Sequence, residues 1–434
     1  MAIDIDWAIK IGTVDAPTDF TSRVKGLSIL QPLGFMQPAA HRCTITLDNN
    51  DGALTPGAGG TYGSVNWFAQ GLFITATVNT TDTANVFHGI VNDFDIADDG
   101  VTSTVTITAA DWLTIGARAT YQTSASSGGD FPFTQRLAAS ADAFTRTQGV
   151  DTLPLLGNTA ARTQYTFTEN PRTTGEVAAG SVIMATVRNK NDTLLDVYTT
   201  REQAGVPSVL WPTTITEGER EGEPGVTYTR YNHATVGDLL SRNTNKLTFT
   251  FVEQTPSTGE LPIAGIDRGY NVERAVNVAK ITSAYTTNES QASNQTSADL
   301  SGAQQILVTQ SSMQYDTDVA RMAANLVDRF GTVRFQARSL TVGTPQLATL
   351  DASMKDEVAA LLDVDDGLWQ EAVVKYTPTG AASQQTDVTV IFGRRIDAVP
   401  GRTTITLDLL PAVDYQSFVL DSSTLGVLDQ NRLG

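Results

Sequence analysis

Residues 42–52 read RCTITLDNNDG. In this stretch Cys43, Ile45 and Leu47 lie on one side of an extended chain and threonines lie on the other, which is the alternation of a half-buried antiparallel strand. The Asp and Asn residues that follow, together with Gly52, have the composition of an Asx turn. The stretch therefore predicts a β-strand that ends in a tight turn.

More strands follow along the chain. Residues 72–79 alternate in polarity, and residues 86–96 and 103–109 form two apolar runs joined by a turn whose Gly100 can adopt the positive φ of a tight hairpin. Short, Thr-rich strands at roughly ten-residue spacing, with turns between them, are typical of a barrel or a sandwich. We place this first β-domain at residues 1–118.

The composition changes after the first β-domain. Residues 119–235 are rich in Ser, Thr and Gly, and we interpret them as an inserted α+β domain. One helix in it begins near Asn191 or Asp192 and ends at Gly205. Apolar alternation returns near Lys246, where a second β-region begins.

The last third of the chain combines one helix with further strands. Helical spacing of apolar residues over 317–330, between Asp316 as a cap and Gly331 as a stop, predicts the helix. The fold class is therefore predicted to be mainly β with α+β insertions. We expect the chain to divide into two β-domains at 1–118 and 236–411, an inserted domain at 119–235, a helix-containing insertion at about 286–369 and a C-terminal arm at 412–434.

The second β-region echoes the first. Residues 87–89, FHG, precede a hairpin and the run VTI at residues 105–107. Residues 392–393, FG, precede a Pro-Gly hairpin and the run ITL at residues 405–407. We infer from this echo that the two β-domains are related.

The overall composition excludes several classes of protein. The net charge of −18, from 47 acids and 29 bases in 434 residues, argues against a protein that binds a phosphate backbone, because such contacts depend on Lys and Arg. The single cysteine, Cys43, permits no intramolecular disulfide and is expected to pack as a small apolar residue. The amino terminus is acidic where a signal peptide needs basic residues, so no signal peptide is predicted. No apolar run reaches the ~20 residues needed to span a bilayer, so no membrane span is predicted.

The histidines and the acidic turn offer little chemistry. His41, His88 and His233 have no nucleophile motif nearby, so we interpret them as structural. The turn at residues 48–52 resembles a calcium loop, but the twelfth position is Gly59 instead of the bidentate Glu, and Asx-turn chemistry explains the same residues. No metal site is predicted.

The paired carboxylates are equally poor candidates for catalysis. Asp98 and Asp99, Asp363, and Asp365 and Asp366 all lie beside turn residues, where charges are usually solvated. No glycine-rich phosphate loop follows any strand. The sequence thus predicts no catalytic residue and no cofactor, and we expect the protein not to be an enzyme.

The order of these features resembles that of siphophage tail hub proteins, a group of minor tail or baseplate hub proteins similar in type to the central hub of contractile phage baseplates. The resemblance covers 26–118 and 270–434. It rests on the strand and turn at 42–52, the strands at 73–77, 86–91 and 105–112, the helix at 318–330 ending in RFG, the run at 373–380, the strand at 404–411 and the terminal segment at 418–434.

This resemblance implies an architecture and a set of partners. Each subunit would contribute two tube-like β-barrel domains to a homotrimeric ring at the distal tail tip of the virion, assembled in the host cytoplasm. The expected partners are the distal tail protein, the tape-measure protein and receptor-binding or fibre proteins. DNA would pass the acidic lumen without specific binding, because few cations would be available for its phosphates.

The segment after Pro411 is predicted to be an arm that lies on its own hub or on a neighbouring protein. Its candidate interface is an apolar stripe formed by Phe418, Leu420, Leu425, Val427 and Leu428.

Two other classes of protein remain as alternatives. A carbohydrate-binding, adhesin-like β-protein would share the Thr-rich strands, but it would be expected to expose aromatic clusters, and the aromatic fraction is only 7%. A tail-associated cell-wall hydrolase would need a catalytic domain, and residues 119–235 are the only place for one.

Overall fold

The structure is a computed structural model of the 434-residue chain. It describes residues 3–13, 16–32, 39–114 (without Ala58, Asn66, Phe68, Ala69 and Trp112), 247–270, 275–283, 288–311, 316–364 and 366–412, and the short strands at 125–127, 164–167, 186–188, 208–215 and 228–235. The described part is mostly β-sheet with a few helices, which confirms the predicted fold class. None of its helices is both long and apolar enough to cross a bilayer.

The strands fall into three groups along the chain. The first comprises β1 (Ile5–Thr13), β2 (Ala16–Asp19), β3 (Val24–Pro32), β4 (Arg42–Asp48), β5 (Gly71–Val78), β6 (Asp82–Asp98) and β7 (Ser103–Ala110). The second comprises β8 (Ala125–Ser127), β9 (Gln164–Phe167), β10 (Thr186–Arg188), β11 (Ser208–Ile215) and β12 (Tyr228–Thr235). The third comprises β13 (Thr248–Val252), β14 (Glu260–Pro262), β15 (Gly265–Tyr270), β16 (Val278–Ser283), β17 (Glu289–Ser293), β18 (Gln305–Ser311), β19 (Phe335–Gly343), β20 (Glu371–Tyr376), β21 (Gln385–Val399) and β22 (Arg402–Pro411).

The helices whose full bounds are described lie in the last third of the chain, and a 3-10 turn lies near the amino terminus at Thr21–Arg23. The predicted helix over 317–330 is confirmed, and it begins one residue earlier, at Asp316. The helix predicted between residues 191 and 205 lies outside the described residues. The helices are α1 (Gln295–Ser301), α2 (Asp316–Phe330), α3 (Thr344–Leu347) and α4 (Lys355–Leu362), with a 3-10 turn at Ala352–Met354 before α4.

One sheet of fourteen strands takes in both β-rich parts of the chain. Within it, the strand order β6-β7-β4-β3 is followed by β21-β22-β19-β15, because β3 pairs with β21. All pairs along this run of eight strands are antiparallel. The first half of β6 also pairs with β5, which is followed in the sheet by β1 and β2. In the same way, the first half of β21 pairs with β20, which is followed by β13 and β14.

The two sets of four strands repeat each other in detail. Both β6 and β21 contain a bulge, at Asn92 and at Phe392, and the pairing on either side of the two bulges is the same. Ile90 and Val390 are therefore equivalent, and the same difference of 300 in residue number holds for the partner strands β7 and β22.

This register corrects part of the sequence echo. Residues 105–107 and 405–407 are equivalent, as predicted. Phe392, however, is equivalent to Asn92 and not to Phe87, so the matching of residues 392–393 with 87–89 was wrong. Strand pairing and bulge position set the register, whereas a Phe and a Gly near a hairpin can recur at different positions by chance. The domain boundaries stay predictions.

The eight-strand run has one packed face and one solvated face. On the packed face, Ile29, Ile45, Ile107, Ile396 and Leu407 are completely buried. Their neighbours in sequence point to the other face, as the period of two in a strand requires. This alternation is typical of an antiparallel sheet that covers a core on one side only.

The turn at residues 48–54 has the predicted chemistry. The side chain of Asn49 accepts a hydrogen bond from the Leu54 amide at 2.8 Å, and the Asp51 carboxylate accepts one from Ala53 at 3.1 Å. Gly52 adopts a φ of 66°. Cys43, just before the turn, is buried at 1% exposure, so the prediction that it packs as an apolar residue is confirmed.

An insertion between β15 and β19 has its own small sheet. Its strand order is β17-β16-β18, and α2 packs on it. The carbonyl of Phe330, at the end of α2, accepts a hydrogen bond from the amide of Val276, two residues before β16, at 2.9 Å. The buried helix residues are Val319, Ala323, Leu326, Val327 and Phe330.

Candidate functional site

His41 and His88, two of the three histidines singled out from the sequence, have no nucleophile beside them in the part of the chain that the structure describes. His88 is half-buried in β6 and lies against the ring of Phe73, at 4.4 Å between ring centroids. His41 is buried beside Asp111, with 3.5 Å between its Nδ1 atom and a carboxylate oxygen. His233 lies in β12. The structure does not bring His41 and His88 together with a nucleophile, so they take part in packing.

The contact between His41 and Asp111 belongs to the end of β7. Asp111 accepts hydrogen bonds from the amides of His41 and Leu113, both at 3.0 Å, and so fixes the start of the next turn. Burial raises the pKa of Asp111 to about 7 despite these two donors. Burial, together with the charge of Arg394, lowers the pKa of His41 to about 3. His41 and Asp111 therefore hold the end of β7 in place.

Stability should depend on pH through these two histidines, whose pKa values are lowered in the folded state. Burial lowers the pKa of His88 to about 3, so the folded state keeps it neutral while the unfolded chain takes up a proton below pH 6.5. Stability is then lost as the pH falls from 6.5 toward 3. Between pH 7 and pH 5 the loss for one such histidine is about 2 kcal/mol.

We expect the His88→Phe variant to lose less stability than the wild type over this range. Urea unfolding at pH 7 and pH 5 measures the difference. The raised pKa of Asp111 changes stability with pH in the opposite direction, but Asp111 is present in both proteins, so its effect cancels in the comparison. Equal losses in the two proteins would contradict the neutral state of His88 in the folded protein.

The described carboxylates hold turns together. Asp98 accepts a hydrogen bond from the Gly100 amide at 2.9 Å, and Asp99 accepts one from Thr102 at 2.6 Å. Asp363 accepts one from the Asn85 amide at 2.9 Å. Asp365 lies outside the described residues. Within the described ranges no three His, Cys, Asp or Glu side chains cluster in a way that could hold a metal ion.

A buried arginine joins the two halves of the sheet. Arg394 of β21 is 1% exposed, and its Nε donates to the side-chain oxygen of Gln31 in β3 at 2.7 Å. Its Nη1 donates to the carbonyl oxygens of Leu361 and Asp363 at the end of α4. Gln31 in turn donates to the Val86 carbonyl at 3.0 Å. Burial lowers the pKa of Arg394 to about 9, so the contact costs desolvation energy.

Sequence reasoning missed this residue, although a signal was present. Arg394 and Arg395 are adjacent in a strand that alternates apolar and polar side chains, so one of them has to face the packed side. The sequence could not say what would accept its hydrogen bonds, because Gln31 is more than 350 residues away.

The solvated face of the eight-strand run is lined by short hydroxyl side chains, and three of its basic side chains are paired with acids. Lys25 lies 3.3 Å from Asp48, and the Arg395 Nε lies 2.7 Å from a carboxylate oxygen of Asp397. Arg338 makes a similar pair with Asp267 at 2.9 Å. The hydroxyl residues are Thr44, Thr46, Thr104, Thr106, Thr108, Ser339, Thr341, Thr404 and Thr406.

The run of eight strands ends in two edges that pair with no other described strand. One is the second half of β6, after its pairing with β5 ends at Ile90. The other is the edge of β15 that faces away from β19. Both edges carry exposed apolar side chains, since Ile96 in β6 is 39% exposed and Tyr270 in β15 is 62% exposed. Such edges are able to pair with another chain.

The predicted interface of the C-terminal arm lies outside the described residues, which end at Ala412. This concerns Phe418, Leu420, Leu425, Val427 and Leu428, which stay a prediction.

Comparison with known proteins identifies the fold. No protein-family model and no curated protein sequence matches this chain. The crystal structure of a tail protein from Neisseria meningitidis MC58 aligns over 94% of this chain and 98% of its own, with a TM-score of 0.52 and 10% identity. The prophage MuSo2 43 kDa tail protein from Shewanella oneidensis aligns over 94% and 99%, with a TM-score of 0.50 and 9% identity. The chain has the fold of phage tail proteins, which confirms the sequence resemblance at the level of the fold.

Proposed function

We propose that this chain is a structural protein of a phage tail, a tail-tip or baseplate hub whose homotrimeric ring continues the tail tube. The observation that carries the proposal is the strand set that occurs twice in one chain, joined by the β3–β21 pair. Three copies would present six similar strand sets. A threefold ring built in this way can match a sixfold tube.

The solvated sheet face supports a lumen through which DNA passes without specific binding. Binding of a phosphate backbone requires available Lys and Arg side chains. On this face Lys25, Arg338 and Arg395 are each paired with an acid, whereas Arg42 and Arg402 are exposed and have no acid partner among the described residues. Asp93 and Asp95 of β6 add exposed carboxylates. Short hydroxyl side chains, such as Thr44, Thr106 and Thr406, also line this face.

The partners of the ring follow from its proposed position. The distal tail protein would lie above it, the tape-measure protein inside it, and receptor-binding or fibre proteins around or below it. The arm at residues 412–434 would contact the hub itself or one of these neighbours. The protein would be assembled in the host cytoplasm and reside at the distal tail tip of the virion.

The proposed role is structural and not enzymatic. The described histidines and carboxylates make packing and turn contacts, which supports this view. Binding to a glycan array would instead favour the adhesin-like alternative, and zymography on host peptidoglycan would reveal the cell-wall hydrolase.

The proposal predicts a trimer in solution and a location at the tail tip. Light scattering of the purified full chain at high concentration should give three times the 46.3 kDa chain mass. Electron micrographs of virions labelled with an antibody to this chain should show the label at the distal end of the tail. A stable monomer or dimer would contradict the trimer, and label along the tube or on the capsid would contradict the location.

A further inference from the structure

The pairing of β3 with β21 shows how one strand set joins the next. Ser28 lies opposite Asp397, and its hydroxyl donates to the Asp397 carboxylate at 2.7 Å on the solvated face. Gln31 lies opposite Arg394 on the packed face. In this joint the outer edge of β3 meets the second half of β21, next to the point where β20 stops pairing with β21 at Val390.

The same two edges exist a second time, and no described strand pairs with them. β15 is equivalent to β3, because Gly26 pairs with Thr46 in one set and Gly265 pairs with Thr341 in the other. The second half of β6 is equivalent to the second half of β21 through their common bulge. Each chain therefore contains one complete joint, the pairing of β3 with β21. It also carries the two equivalent edges, β15 and the second half of β6, that a second joint would need.

We propose that β15 of one copy pairs with residues 92–98 of β6 in a second copy of this chain, in the register of the β3–β21 joint. This inference rests on the proposed ring and names the surfaces that close it. The register places Asp267 opposite Ala97 on the solvated face. On the packed face it places Tyr270 opposite Phe94.

The side chains at the two open edges suit this pairing. Gln31 and Arg394 form a polar pair inside the chain, and their equivalents Tyr270 and Phe94 would form an aromatic pair between copies. Tyr270 already packs edge-on against Phe335, at 5.2 Å between centroids, although both rings are largely exposed. Phe94 stacks on Trp67 at 5.1 Å. Pairing would extend these contacts and bury exposed apolar surface.

The two edges differ from each other, so the interface is head-to-tail. Each copy offers one β15 edge and one β6 edge, and such an interface produces either a closed ring or an open filament. Neither edge can pair with itself in the β3–β21 register. A twofold dimer is therefore not expected from this surface.

Paired cysteines test the register in the full-length chain. A disulfide needs Cα atoms about 4.4–6.8 Å apart, which directly opposite residues provide. The variant A97C/D267C should cross-link between copies under mild oxidation. The native Cys43 is buried and does not compete. The variant S28C/D397C has the same geometry inside one chain and should form a disulfide without a change in mass.

The matched control shifts one cysteine by two residues along the same face. In D95C/D267C the cysteines would be displaced by roughly 6.6 Å, so no cross-link should form. Non-reducing gels should show covalent dimers and trimers for A97C/D267C only. A ladder that continues past three would support the edge pairing and overturn the three-copy ring.

The two proposals can fail separately. If the wild type is a trimer by mass and A97C/D267C stays uncross-linked while S28C/D397C closes, the edge pairing is wrong and the ring stands. Equal cross-linking of D95C/D267C would overturn the register. A wild type that remains monomeric, with no cross-link in A97C/D267C, would overturn both.

Discussion

The Arg394→Ala variant should unfold much more easily than the wild type. The substitution removes a buried side chain that donates hydrogen bonds to Gln31 and to the carbonyl oxygens at the end of α4. These acceptors would be left buried without their donor, and a cavity would remain between the two strand sets. We expect a loss of about 3–5 kcal/mol in the free energy of unfolding.

The neighbouring arginine provides a matched control. Arg395 points to the opposite face of β21 and pairs with Asp397 in a solvent-exposed position. Exposed ion pairs contribute about 0–1 kcal/mol, so Arg395→Ala should change stability little. Urea unfolding followed by tryptophan fluorescence compares the two variants. Similar losses for both would show that Arg394 does not hold the halves of the sheet together.

A third variant separates hydrogen bonding from packing. Arg394→Met keeps most of the volume of the side chain and removes its charge, together with the desolvation cost reflected in its lowered pKa. We expect a smaller loss than for Arg394→Ala, because the cavity is largely filled. A loss as large as that of alanine would assign the effect to the unsatisfied acceptors.

The Ile45→Ala variant is the second substitution with a large expected effect. Ile45 is completely buried on the packed face of β4, between Leu27 of β3 and Ile107 of β7. Truncation of a buried isoleucine to alanine costs about 2–5 kcal/mol through lost apolar burial and the cavity left behind. The same unfolding measurement gives this loss.

The adjacent threonine shows whether the effect depends on the face. Thr44 precedes Ile45 in the strand and points to the solvated face, where it lies opposite Ser28 and Thr108. Thr44→Ala should change stability by about 0.5 kcal/mol or less. A loss for Thr44→Ala that approaches that of Ile45→Ala would mean that the two faces are not packed and solvated as described.

The outcome for Ile45 could be predicted from the sequence, and that for Arg394 could not. Alternation of Cys43, Ile45 and Leu47 with threonines reports which side of a strand is buried, because burial follows the period of two in the backbone. Turn chemistry is equally local, so the hairpin glycines Gly100 and Gly401, with φ of 81° and 76°, were also predictable.

The candidate site was only partly accessible from the sequence. The sequence echo indicated two related β-regions, but it matched Phe392 with the wrong residue, because the bulge that sets the register leaves no distinct sequence pattern. The open edges of β6 and β15 were not anticipated. An edge is defined by the strand that is missing beside it, and a sequence does not state which strands are neighbours.

The sequence by itself determined several strands with their buried faces, among them β4, β5, β6 and β7, together with the tight turns and the helix that ends at Phe330, because each of these depends on residues close together in the chain. The tertiary structure alone decided that β3 pairs with β21, that Arg394 contacts Gln31, and that a matching pair of edges has no partner among the described strands. These features depend on contacts between residues hundreds of positions apart, and strand pairing over such distances is fixed by the packing of the whole sheet.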